Sequence, residues 1–317
     1  MRSEVDRSPD VHRIIAATGA RDARRIGRIQ SLWSGWGEIA RYALVDGPAS
    51  TVIVKVVQPP ERSAKGAHPR GWDSDVGEAR KRRSYEVESA FYQDWASWCG
   101  ARIARGWSIE SGHLVLEDLD GAGFAGRAVG SGSLDDLRIG WCIDWLADLH
   151  RGYLGMEPTG LWETGTYWHL ATRPDEWAAM ASGPLKSRAA DLDAALAAAP
   201  ATVVHGDAKV ANFCFGASGV AGVDFQYTGG GCGLKDVAYF LGSCLDDAAL
   251  YASADRWLDR YFARLDSAEV ERAWREVWPH AWADFERFLA GWAPGHWKRG
   301  GFAAEMTATA IERLSRR

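Results

Sequence analysis

The sequence predicts an α+β chain of two lobes, an N-terminal antiparallel sheet carrying one helix and a larger, mainly helical C-terminal lobe. Three observations predict it. Apolar and polar residues alternate in the manner of strands after the N-terminal tail, from Ile29 through LWSGWGEIARYALV and STVIVKVV. The strand-like HLVLEDL runs into a glycine-rich stretch, DGAGFAGRAVGSGS, which marks a boundary around 117–120. Beyond that boundary helical spacing dominates. At 317 residues the chain is long enough for each lobe to bury its own core, so the expected lobes are 1–118 and 119–317, with a cleft between them.

Each element has its own signal. Gly35, Gly37 and the Asp46-Gly47-Pro48 turn punctuate the first strands. Residues 58–77, rich in Pro, Gly and charge, read as a mobile loop, and a helix follows over about 80–98. Ser133 is expected to open a helix with Asp136 in a capping-box position. Leu137, Trp141, Trp145 and Leu149 recur every four residues along it, which predicts a core-facing stripe. An alanine-rich helix over 189–198 leads through Pro200 into TVVHGD, and helices fill the chain from Asp236 to the end. No internal repeat is visible, which argues against a solenoid.

Composition narrows the function. With 47% hydrophobic and 25% charged residues the chain has the balance of a packed globular protein. A net charge of −5 supplies no global positive field for nucleic acid or an anionic membrane surface, so phosphate affinity has to be local. The tail MRSEVDRSPD lacks the apolar core of a signal peptide, and no apolar run approaches bilayer length, so a cytoplasmic location is expected. The five cysteines are odd in number and contain no CxxC pair, which reads as reduced, buried thiols. Seventeen tryptophans, most of them at helical spacing in the second half, read first as core.

The strongest chemical signal is VVHGDAKVANFCFGASGVAGVDFQ, residues 203–226. It reads as two short strands around a turn at 216–219 with polar groups at their ends. Phosphoryl transfer needs a carboxylate to orient the attacking hydroxyl and oxygen ligands to hold magnesium on the phosphates. Asp207, Asn212 and Asp224 supply that set. The separation of Asp207 and Asn212 matches H-R-D-x-x-x-x-N with Gly206 in place of Arg, and Asp224-Phe225 matches the start of D-F-G, with Gln226 in place of Gly. Two other readings stay open at this point: His205 and Asp207 as ligands of a hydrolase metal, and Asp224 as a turn cap. His205 itself reads as a hydrogen-bonded loop organiser.

HGDAKVANF followed by VDFQYTGGGCGLKDVAYFL resembles the aminoglycoside phosphotransferase and choline kinase superfamily, which has a protein-kinase-like fold, and within it the ecdysteroid-kinase-like branch. The likeness follows the order of elements along most of the chain and is specific over about 203–242. It implies that Asp207 is the catalytic base and that Asn212 and Asp224 bind Mg2+. Lys209, two residues after the base, stands where protein kinases carry a lysine that meets the transferred phosphate, a likeness that favours the protein-kinase alternative.

The N-terminal half offers an independent check. Lys55 interrupts the Val/Ile run of TVIVKVV, where a charge is costly unless it faces a partner. It reads as a phosphate-contacting lysine, or else as a lysine on an exposed edge strand. Glu86 and Glu88 are the candidate partners. At about 100° per residue Glu88 falls in the stripe of Phe91, Tyr92 and Trp95, while Glu86 points away. A glutamate just before Phe-Tyr also resembles the family pattern. Gly35 and Gly37 lack the complete G-x-G-x-x-G and read as a hairpin over the phosphates. Glu117, Asp118 and Leu119 are expected to offer backbone groups to adenine. Asp236 reads as an N-cap, and 80–83 as a solvated basic helix face.

The function expected is therefore transfer of the ATP γ-phosphate to a hydroxyl of a small organic acceptor. The alternatives are a nucleotide-binding module without turnover and a protein kinase. The short glycine-rich segment between Asp224 and Asp236 leaves the latter little room for a peptide-binding loop. Trp162, Tyr167, Trp168 and Trp177 are candidates either to cage a quaternary ammonium or stack on a sterol or sugar, or to sit in the core.

Overall fold

The computed structural model describes residues 9–59 and 75–316. In chain order its main elements are α1 (Pro9–Thr18), β1 (Asp22–Ser31), β2 (Gly37–Val45), β3 (Thr51–Val57), α2 (Asp75–Ala90), β4 (Gly106–Glu110), β5 (His113–Glu117) and α3 (Asp136–Gly152). There follow α4 (Pro174–Ala179), α5 (Pro184–Ser187), α6 (Ala189–Ala197), β6 (Thr202–Val204), β7 (Phe213–Phe215), β8 (Val220–Gly222) and β9 (Gly229–Gly231). Five helices close the chain: α7 (Leu234–Cys244), α8 (Asp247–Leu265), α9 (Ala268–Glu276), α10 (Trp278–Trp292) and α11 (Gly301–Ser315).

The first five strands form one antiparallel sheet in the order β1-β2-β3-β5-β4. Strand period two divides its faces. Ala40 and Tyr42 of β2, Val52 and Val54 of β3 and Val115 of β5 pack with Ile14 of α1 on the far side. Ile39, Arg41, Ile53 and Lys55 therefore fall on the opposite face, where they line a cavity. This is why a lysine sits in a valine strand. α2 continues through a π turn over Phe91–Trp95, and Val87, Phe91, Tyr92 and Trp95 join the main core with Phe225 and residues of α3, α7 and α8.

Several expectations change. The sheet begins at Asp22, ahead of Ile29, and the segment before it forms α1. The expected loop at 58–77 falls largely on 60–74, outside the described residues, and α2 starts at Asp75, ahead of Arg80. The N-cap of α3 is Asp135, whose carboxylate accepts the Arg138 amide at 2.8 Å, while the Ser133 hydroxyl donates to Gly130 O. Leu137 is 60% exposed. The buried face of α3 runs instead through Ile139, Cys142, Ile143, Leu146 and Leu149, joined by Trp145. A stripe spaced every four residues drifts around a helix of 3.6 per turn, so its first member rotates out. All five cysteines are free thiols, and Cys99 is the half-buried one. Among the described residues no helix is long and apolar enough to cross a membrane.

Candidate active site

The loop after β6 is built on one carboxylate. Asp236, fully buried in the first turn of α7, accepts the amides of His205 at 2.6 Å and Gly206 at 2.9 Å. His150 of α3 lies against the same carboxylate, its Nε2 3.1 Å from Oδ2. Asp236 is thus no N-cap: Gly233 holds that position. Gly206, with φ +81°, lies so close to the next segment that a Cβ would stand 2.0 Å from Tyr227 O. Only glycine tolerates both constraints, which gives a physical reason for glycine where H-R-D has arginine. His205 is fully buried; its Nδ1 accepts the Asp207 amide at 3.2 Å and its Nε2 donates to Val223 O at 3.0 Å. Both ring nitrogens are engaged, so His205 organises the loop and has no nitrogen left for a hydrolase metal.

Asp207 then projects from the loop as a nearly buried carboxylate. Lys209 Nζ stands 2.5 Å from its Oδ2, Asn212 Nδ2 donates to the same oxygen at 3.1 Å, and the Tyr239 hydroxyl donates to Oδ1 at 3.2 Å. Burial pushes its carboxyl above the usual range; Lys209 opposes that rise and Asp224 adds to it. Burial would lower Lys209, but the charges of Asp207 and Asp224 outweigh it and hold the ammonium protonated.

Asn212 donates through Nδ2 to Asp207 O at 2.8 Å, which turns its amide oxygen the other way as an acceptor. Its backbone carbonyl receives the Val223 amide at 3.0 Å, bringing the next strand end alongside. Asp224 follows with φ +72°, a left-handed conformation uncommon outside glycine. Its Oδ1 is buried with no hydrogen-bond partner among the described residues. A buried carboxylate oxygen without a donor costs folding energy unless something cationic meets it. With the Asn212 amide oxygen, it makes a donor set that fits a hard divalent cation. Phe225 anchors the turn, stacked on Phe91 with ring centroids 4.0 Å apart.

Across the cleft Lys55 Nζ lies 2.5 Å from Glu88 Oε2, both residues buried. Glu86 is exposed and faces Arg83 at 3.4 Å. Burial raises the Glu88 carboxyl, and Lys55 holds it down in part. One cavity of about 1290 Å³ joins Lys55, Glu88, Asp207, Lys209, Asn212 and Asp224. It exceeds the roughly 300–1,000 Å³ of ordinary ligand pockets, so it has room for two substrates side by side.

Other candidates fall differently. Glu117, Asp118 and Leu119 line the cavity, but the Glu117 amide already donates to Arg105 O and Leu119 O accepts the Phe124 amide. Two of the backbone groups expected to face adenine, the Glu117 amide and the Leu119 carbonyl, are thus engaged within the protein. Gly35 and Gly37 do not line the cavity; their neighbours Leu32, Trp33 and Trp36 do. Gly37 is needed because a Cβ there would meet Val56 O at 1.9 Å. Of the four aromatics read as either acceptor walls or core, only Tyr167 lines the cavity. Trp168 is buried on Asp284, Trp162 donates to Gln226 O, and Trp177 is 42% exposed. Tyr227, Tyr239, Phe288 and Trp292 take the places beside Tyr167. No sequence pattern flags them, although Tyr239 falls one helical turn beyond Asp236.

No protein-family model and no curated protein matches the chain. Solved structures do. A candidate fructosamine-3-kinase from Thermobifida fusca superposes with a TM-score of 0.54 at 16% identity, covering 97% of this chain and 98% of its own. A microcompartment-associated aminopropanol kinase gives 0.51 at 17% identity, covering 96% and 95%. With its antiparallel sheet, helical second half and cleft, the chain has the two-lobed, kinase-like fold of these structures.

Proposed function

We propose that the protein is an ATP-dependent phosphotransferase that moves the γ-phosphate to a hydroxyl of a small organic acceptor. The observation that carries this reading is the single cavity holding both the Lys55–Glu88 pair and the Asp207, Asn212, Asp224 constellation. The nucleotide-binding lobe would be residues 1–118 and the catalytic and acceptor lobe 119–317. Lys55, held rigid by Glu88, receives nucleotide phosphates. Asn212 and Asp224 would hold Mg2+, which when bound would neutralise charge on the phosphates. Asp207 orients the acceptor hydroxyl and takes its proton as the new O–P bond forms and ADP leaves; its raised pKa suits a base. Lys209, which lines the cavity beside Asp207, meets the phosphoryl group in transfer.

A small acceptor is favoured over a protein. The segment after Asp224 is tied down at once: β9 pairs with β6, Trp162 donates to Thr228 O, and Gly165 donates to Gly230 O. No free loop remains between Asp224 and Asp236 to dock a peptide. The likeness to kinases of fructosamines and aminopropanol points the same way. A coupled ADP-release screen with Mg-ATP across hydroxy acids, amino alcohols, aminoglycosides, sterols and sugars, with a generic protein substrate beside them, tests the reading. Acceptor-dependent ADP release is expected; turnover only with a protein substrate would contradict it.

A further inference from the structure

We infer that the acceptor carries an anionic group, a carboxylate or its equivalent, received by Arg80 and Arg173 at the far end of the cavity from the nucleotide. This deepens the kinase reading and rests on it.

The cavity has two ends, and α2 measures the distance between them. Glu88, Ser84 and Arg80 line it from one helix face at intervals of four residues. Glu88 meets Lys55, Ser84 Oγ lies 3.3 Å from Gln226 Oε1, and Arg80 Nη1 donates to Thr172 O at 2.7 Å. Eight residues of helix at ~1.5 Å each place Arg80 roughly 12 Å along the axis from Glu88. From the base, a chain of contacts reaches the same end. Tyr239 donates to Asp207, Tyr167 packs on Tyr239 with centroids 5.7 Å apart, and the Arg173 guanidinium lies 5.7 Å from the Tyr167 ring and 5.2 Å from Phe288. Arg173 also lines the cavity. An acceptor whose hydroxyl sits at Asp207 therefore extends along aromatic walls toward two guanidinium groups.

Three cations at this end, Arg80, Lys81 and Arg173, stand against two acids, Glu176 and Asp175. Arg173 is matched by Glu176 at 3.0 Å. Arg80 and the neighbouring Lys81 bond backbone carbonyls, those of Thr172 and Trp33, and have no carboxylate partner among the described residues. Of the acids around them, Glu78 pairs with Arg82 and Asp207 with Lys209, while Asp175 joins Glu176 within electrostatic reach of Arg80. Burial and the like charge of Arg173 both depress Arg80, and burial brings Lys81 down to about 8. These cations relax when an anion arrives. A quaternary ammonium or a polycationic sugar would set its own charge against them. Arginine's fork is suited to a planar carboxylate or a phosphate-like group.

The test titrates the whole chain calorimetrically with three ligands of one shape: 4-(hydroxymethyl)benzoate, its amide, and 4-(hydroxymethyl)benzylamine. The benzoate is expected to bind about ten- to a hundredfold more tightly than the other two, the scale of one or two charge-assisted hydrogen bonds. Arg80→Met, with Arg80→Gln as a second variant should it fail to fold, is expected to erase that preference. Equal or tighter binding of the amine or amide, no binding by any of the three, or a preference that survives in a folded Arg80 variant would overturn the proposal. ADP release from Mg-ATP with the same compounds separates the two readings. Turnover of the amine alone overturns the anionic acceptor and leaves the kinase standing. Tight benzoate binding, with no ADP release here or across the wider acceptor screen, supports the anion site and removes the kinase.

Discussion

Asp236 Oδ2 receives the backbone amide of His205, 31 residues earlier in the chain, at 2.6 Å. Together with the Gly206 amide on Oδ1, this bond fixes the loop that carries Asp207. Asp236→Ala would leave two buried amides without acceptors, each a loss of about 1–3 kcal/mol. The expected result is a destabilisation of about 3–5 kcal/mol in urea unfolding, with turnover lost even where the variant is folded. Asp236→Asn keeps one acceptor oxygen and should fall between. Wild-type stability and turnover in both variants would show that the loop is held by something else.

The Lys55–Glu88 pair makes a second prediction. Lys55→Met and Glu88→Gln should each weaken ATP binding or turnover about ten- to a hundredfold, the scale of a charge-assisted bond. The double variant should lose less than the sum, since the two residues act through one contact. Glu86→Gln should leave activity unchanged, because Glu86 is exposed and touches only Arg83. Steady-state kinetics of the four proteins checks this, and equal effects at 86 and 88 would contradict the pairing.

The third prediction concerns pH. Asp284 is buried against Lys235 at 3.1 Å and Arg287 at 3.0 Å. Burial would raise its carboxyl, but the two cations outweigh it and hold it at about 2. A folded pKa below the unfolded value of ~3.9 gives stability that is present above pH ~3.9 and lost as pH falls toward 2. The contribution is on the order of 2 kcal/mol near neutrality, and roughly half of it should remain near pH 3. Asp284→Asn is expected to be less stable than wild type at pH 6, with the gap narrowing toward pH 3. A gap that widens with acid would reverse the sign of the assignment.

How much of this was legible in the sequence differs from place to place for physical reasons. The strand lysine was legible because a charge inside an apolar run needs a partner, and the inward glutamate because helical phase fixes which face a side chain takes. The spacing of Asp207, Asn212 and Asp224 was legible because a loop and a hairpin bring them together over a short stretch of chain. Asp236 was misread as a cap: its amide partners lie 30 and 31 residues earlier, and no local rule connects them. The acceptor end was least legible. Tyr167, Tyr227, Tyr239, Phe288 and Trp292 come from distant segments that only tertiary packing brings together, whereas Trp168 went to the core, where its indole donates to Asp284.

The central claim is that Asp207 handles the proton of the attacking hydroxyl, and single-turnover phosphotransfer in Asp207→Asn tests it most directly. Enzyme in excess over γ-labelled Mg-ATP, mixed with the best acceptor from the screen, reports the chemical step apart from product release. The account predicts a rate lower by about 10²–10⁴, the range for loss of a positioned acid or base, with Mg-ATP affinity largely retained. Asp224→Asn, measured alongside, should instead lose the metal-dependent part of ATP binding. Transfer at the wild-type rate in a folded Asp207→Asn variant would contradict the mechanism.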